Sequence, residues 1–172
     1  MSTIRIEQEH HDTEFEGRQI AKVATPNFPR WVEMTLYSLD TGGYVLHRIG
    51  QSMVYHAAGG VCGDGESASR TAGCARITVD DLPDDAEPCK FCEPPAPVDL
   101  PTRLPVLFEQ PRHTIDRCAD PATVIKRITR ARHRGSGITS SVISRPVKDL
   151  LTQAMVNDEG FAHAPKPVEK IG

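Results

Sequence analysis

Hydrophobic positions in the first third of the chain recur with period two. Thr3–Glu7 is a short candidate strand. Phe15, Gly17, Gln19, Ala21 and Val23 alternate with Glu14, Glu16, Arg18 and Lys22, the pattern of a half-buried strand. Thr25-Pro26-Asn27-Phe28-Pro29 breaks the run. From Trp31 to Ser38, Val32, Met34 and Leu36 fall on one face, and Trp31, Glu33, Thr35 and Tyr37 on the other. Asp40-Thr41-Gly42-Gly43 is turn chemistry, because glycine adopts positive φ without a steric cost. Tyr44–Ile49 is the return strand. Gly50-Gln51 is expected to be a turn or bulge, and Ser52–His56 a last strand. Successive hairpins predict an antiparallel meander.

The period changes to 3.6 near the other end. Asp120-Pro121 opens a helix with an N-cap acid and a proline in the first turn. Val124, Ile125, Ile128 and Ala131 share one face, and Lys126, Arg127, Arg130 and Arg134 the opposite arc. Gly135-Ser136-Gly137 ends it. A second helix starts near Ser144-Arg145-Pro146, with Val147, Leu150, Leu151, Ala154 and Met155 as its apolar stripe, and stops before Gly160. The fold class expected is α+β: an antiparallel β-meander with a zinc-stapled loop region and two C-terminal helices. The expected organisation is a sheet with a zinc-binding insert over 1–93, a proline-rich linker over 94–105, a helical segment with a basic face over 106–160 and a tail over 161–172.

Phe15-Glu16-Gly17-Arg18-Gln19-Ile20-Ala21 and Leu36-Tyr37-Ser38-Leu39-Asp40-Thr41-Gly42-Gly43-Tyr44-Val45-Leu46-His47 resemble a block in uncharacterised actinobacterial and actinophage proteins. Residues 14–47 are similar to the strand region of the group called EXLDI proteins. The resemblance implies a small sheet domain and carries over no catalytic residue.

Candidate chemistry lies between these regions. Four of the five cysteines, Cys62, Cys74, Cys89 and Cys92, follow His56 within one window, which closes with Pro88-Cys89-Lys90-Phe91-Cys92. Two residues between cysteines is the spacing at which one tight turn presents two thiolates to a single zinc ion. The expected ligands are His56, Cys62, Cys89 and Cys92, two compact half-sites separated by an insert. Replacing His56 by Cys74 gives an all-thiolate alternative. Three thiolates and one imidazole suit zinc, and a filled set suits a structural ion, because a catalytic zinc keeps a position open for water. Cys89 lies between prolines and an acidic stretch, not at a helix start that would activate it as a redox thiol.

Composition sharpens this reading in two ways. Aromatic residues are 5% of the chain, beside 14 prolines and 13 glycines, so the core is modest and a metal staple has something to hold. No apolar run approaches a membrane span, and Met1–Glu7 lacks the apolar core of a secretory signal. The expected compartment is the cytoplasm, where clustered thiols favour metal over disulfides; secretion would reverse that preference.

Net charge is −3, but it is unevenly spread. Asp80, Asp81, Asp84, Asp85, Glu87, Glu93 and Asp99 oppose a single Lys90, whereas lysines and arginines dominate 103–150. The reading is a binding protein and not an enzyme. Its basic arc (Lys126, Arg127, Arg130, Arg134) is available to DNA or RNA, and the acidic stretch faces the basic segment or water. A protein-interaction or structural module is the alternative, and an enzyme the third. His113, between Glu109 and Asp116, is expected in a surface or capping role and Cys118 as a buried small hydrophobe. His10 and His11 are expected to face solvent, and Trp31 to pack on the sheet.

Overall fold

The computed structural model describes residues 2–8, 12–58, 61–62, 73–93, 101, 103–130 and 144–164. The chain is α+β and forms two compact units. The first comprises 1–25, 33–48 and 113–172; the second, 26–32 and 49–112. Among the described residues no helix is long and apolar enough to cross a membrane.

In the first unit, strands β1 (Ser2–Ile6), β2 (Thr13–Ala24), β3 (Arg30–Leu39) and β4 (Tyr44–Ser52) form the expected meander, and β11 (Arg112–Cys118) adds a fifth strand beside β4. The β3–β4 turn uses Gly42 and Gly43 at φ 89° and 85°, and Leu39 N–H donates to Gly43 O at 3.0 Å. A Cβ on Gly43 would lie 2.8 Å from the Cys118 carbonyl oxygen, so space and φ both require glycine there.

The alternation in β2 does not run straight through. Its register against β3 shifts between Gln19 and Ala21. Gln19 faces solvent, while Ile20 and Ala21 are both buried. A bulge of this kind moves the following side chains to the other face. The Ile20 carbonyl accepts instead from Asn157 Nδ2 at 2.9 Å, and Gln153 Oε1 accepts from Lys22 N–H at 3.0 Å. Both partners come from helix α2 (Arg145–Asn157), which packs along β2.

Helix α1 (Pro121–Arg130) begins where the N-cap predicts: Asp120 Oδ1 accepts from Thr123 N–H at 2.7 Å. Val124 and Ile128 of α1 and Val147, Leu150, Leu151 and Ala154 of α2 close over Ile20, Met34, Leu36, Tyr44, Leu46 and Cys118. Short helix α3 (Glu159–Ala162) adds Phe161, 1% exposed, with its ring edge-to-face on Tyr44 at 4.9 Å. The expected tail therefore opens with a core residue. A smaller cluster of Ile6, Phe15 and Val45, backed by Tyr37 and Ile115, belongs to the same unit. Ala131, Arg134 and Gly135-Ser136-Gly137 lie outside the described residues, as do His10, His11, residues 94–100 and the end of the tail.

Two expectations change in the second unit. Gly50-Gln51 is not a turn; β4 continues through it, and β5 (Val54–Ala57) follows after Met53. The 106–160 segment is not helical from its start, because β10 (Pro105–Glu109) and β11 precede α1. Strand β10 pairs antiparallel with both β5 and β7 (Cys74–Thr78), and β5 pairs in parallel with β8 (Glu87–Pro88). Tyr55 and Val106, with Ile77, Leu82 and Phe108 against them, form the apolar cluster here. The acids Asp80 and Asp81 fall in a 3-10 turn over Val79–Asp81, where Asp81 accepts from the Thr78 hydroxyl at 2.6 Å.

Candidate metal centre

Strand pairing alone brings the half-sites together. β6 (Val61–Cys62) pairs antiparallel with β9 (Cys92–Glu93), with Cys62 opposite Cys92. In the neighbouring ladder Tyr55 pairs with Pro88, and Cys89 N–H donates to Tyr55 O at 2.8 Å. That contact sets Cys89 beside His56. One pairing thus delivers two thiols, and the other a thiol and an imidazole.

The ligand atoms of His56, Cys62, Cys89 and Cys92 all lie within 4.8 Å of one another, and all four residues are buried. His56 Nδ1 is 3.4 Å from Cys92 Sγ, and Cys62 Sγ is 3.7 Å from Cys89 Sγ. These are edge lengths of a coordination tetrahedron: metal–sulfur bonds of about 2.3 Å place two sulfurs about 3.8 Å apart. A disulfide would need about 2.05 Å, and all five cysteines are free thiols. The cluster can hold a metal ion.

Electrostatics favour a cation here. Burial, then the neighbouring Cys89 and Cys62 sulfurs, push the Cys92 thiol up to about 11. Several thiolates packed this tightly repel one another unless a positive ion sits among them. Cys74 is not part of this group. It lies half-buried on β7, opposite Glu109 in the β10 ladder, and burial followed by the Glu109 charge raises its thiol to about 11.

Two residues behind the cluster escaped the sequence reading. His56 turns Nε2 to Glu109 Oε1 at 2.9 Å. Arg30 holds the same carboxylate with both arms of its guanidinium, Nε to Oε2 at 3.0 Å and Nη2 to Oε1 at 2.6 Å. Burial alone would raise the Glu109 carboxyl. The hydrogen bonds from His56, Arg30 and Ser52, with the Arg30 charge, outweigh it and hold the group far below the usual carboxylate range. The sequence signal was faint: a glutamate two positions beyond Leu107, which pairs with His56, and an arginine many residues upstream.

The other tempting residues separate. Glu109, His113 and Asp116 do not work together. His113 is neither a free surface residue nor a cap: its Nδ1 lies 3.0 Å from Nε2 of buried His47, with the rings stacked. Asp116 holds Arg48 at 2.7 Å and approaches Arg127 at 3.8 Å. Cys118 is buried as expected, and Trp31 stacks on Phe28 at 6.5 Å. Of the basic arc, Lys126 and Arg127 are exposed on α1; the side chain of Arg130 and the whole of Arg134 lie outside the described residues. A hollow of about 610 Å³ is lined in part by Arg18, Tyr44 and Asp158. Within it Asp158 accepts from Tyr44 Oη at 2.9 Å and from Arg18 at 3.2 Å.

The histidine pair has a pH signature. Burial, then His113, lowers His47 to about 4, with Glu33 and Lys22 also acting on it. The unfolded chain takes up this proton near 6.5 and the folded one only near 4. The stability is fully present above about pH 6.5 and is lost as pH falls toward 4. Between pH 7 and pH 5 the wild type is expected to lose about 1–2 kcal/mol more than His47→Gln, read from urea unfolding at each pH.

Comparison with known proteins gives no matching family model, no matching curated protein and no matching solved structure. Fold and site together define a class: an α+β protein with a buried one-histidine, three-cysteine cluster able to hold a metal ion.

Proposed function

We propose that the cluster holds a structural zinc ion and that the chain is a non-enzymatic accessory protein acting through binding. The carrying observation is the donor set itself: His56, Cys62, Cys89 and Cys92, buried, at tetrahedral edge distances. Zinc has no geometric preference of its own, and three sulfurs with one imidazole nitrogen are among its usual structural sets. The set fills the coordination sphere and leaves no position for water, which favours a staple over a catalyst. A phage or mobile-element origin rests on the resemblance of residues 14–47 to the EXLDI strand block.

The proposed partner is DNA or RNA, met by α1. Lys126 and Arg127 are exposed on α1, Lys126 opposite buried Val124 and Ile128 and Arg127 on the flank near Asp116, and Arg130 and Arg134 continue the basic run in the sequence. Such contacts are electrostatic and release counterions, so binding weakens steeply with salt. A fluorescently labelled duplex and a labelled single strand are expected to bind at low salt, and Lys126→Glu with Arg127→Glu to lose that binding and flatten its salt dependence. A double variant that binds as well as wild type removes α1 as the contact. It leaves the reading in which the partner is another protein.

A further inference from the structure

We infer that Glu109 and Arg30 are positioning residues for the metal: Glu109 fixes the ring of His56 so that Nδ1 is the ligand atom, and Arg30 supplies the countercharge. The inference rests on the zinc reading above and deepens it.

The geometry of His56 carries the first part. The ring has one nitrogen toward the cluster, Nδ1 at 3.4 Å from Cys92 Sγ, and the other toward Glu109 Oε1 at 2.9 Å. A carboxylate only accepts, so Nε2 carries the hydrogen and Nδ1 keeps the lone pair a metal needs. His56 is 2% exposed, so water is not free to replace the carboxylate in this role. An accepting carboxylate also makes the ring a stronger donor to the metal.

Charge carries the second part. Three thiolates around a divalent ion leave one negative charge in excess, and Glu109 adds another beside it. The Arg30 guanidinium grips Glu109 with two parallel bonds. One planar cation therefore balances the carboxylate behind the ring through both oxygens, a geometry that a lysine's single ammonium cannot reproduce. The consequence reaches beyond the ligands. His56 lies on β5 and Glu109 ends β10, so an occupied site is tied to a neighbouring strand that holds no ligand.

The test is zinc competition against a chromogenic chelator, using the full-length wild type, Glu109→Gln, Glu109→Ala and Arg30→Met. Glu109→Ala is expected to weaken zinc about 10–100-fold. Glu109→Gln, whose amide oxygen still accepts from Nε2–H, should fall between wild type and alanine, and Arg30→Met should weaken zinc as well. Cobalt substitution supplies a second readout. The ligand-field bands are expected to shift in Glu109→Ala, where the ring loses its fixed orientation, and to stay near the wild-type position in Glu109→Gln. A merely structural role would lower the unfolding midpoint of the zinc-free proteins and leave both readouts where they were. If Glu109→Ala does not fold, Glu109→Gln and Arg30→Met carry the test, because the first is isosteric and the second changes a partly exposed side chain. Wild-type protein that binds zinc, with variants of indistinguishable affinity and unshifted cobalt bands, overturns the inference and spares the zinc site. Wild-type protein that takes up no zinc overturns the zinc reading itself.

Discussion

Removing zinc with a strong chelator at neutral pH is expected to lower the unfolding midpoint by about 8–16 °C. The size follows from mass action. An ion that binds only the folded state, at a thousandfold excess over its dissociation constant, stabilises it by about 4 kcal/mol. For a chain of this length each kcal/mol moves the midpoint by about 2–4 °C. Among the described residues of the second unit the apolar clusters are small, and one of them consists of Val54 and the three cysteines of the proposed site. Cys89→Ser should reproduce the loss without chelator, because a neutral hydroxyl is a poor zinc ligand. Cys74→Ser should not, because Cys74 lies outside the ligand group. Equal midpoints for wild type and Cys89→Ser, with and without chelator, would remove the staple.

Phe161→Ala is expected to cost about 3–5 kcal/mol, the range for emptying a buried aromatic site. That corresponds to a midpoint roughly 6–20 °C lower. Phe161 is 1% exposed, packs on Tyr44 and belongs to the core cluster that includes Leu150, Ala154 and Leu46. Its backbone N–H also donates to Asp158 Oδ1 at 3.3 Å, which fixes the turn that carries the ring. Glu159→Ala, two residues away and exposed, should leave the midpoint near wild type. A Phe161→Ala protein as stable as the Glu159 control would show that α3 does not close the core.

Local rules read well where the determinants are local. The α1 start was legible because an N-cap bond and a first-turn proline need only neighbours in sequence. The β3–β4 turn was legible because only glycine accepts the φ of residues 42 and 43. The residues of the His/Cys cluster were legible because a two-residue cysteine spacing and a histidine at a strand end are chemistry written in order. Three features were hidden for a common reason. The bulge at Ile20 depends on Asn157 and Gln153, which lie far along the chain. Strand β11 carries Arg112, His113, Asp116 and Arg117, charges that obscured its alternation; pairing across the chain decided its state instead. The Arg30–Glu109–His56 line joins residues 79 and 53 positions apart, and no pattern in one sequence announces such a contact. The burial of Phe161 is not legible in the sequence, because a lone aromatic after a helix has no period to show it.

On the proposed reading a metal ion, held by three sulfurs and one ring nitrogen, organises the second unit. Elemental analysis of the protein, purified without added metal or chelator and measured against protein concentration, tests it most directly. One equivalent of zinc per chain in the wild type, falling close to none in Cys89→Ser, is the expected result. A wild-type chain that carries less than about half an equivalent, unchanged by that substitution, contradicts it.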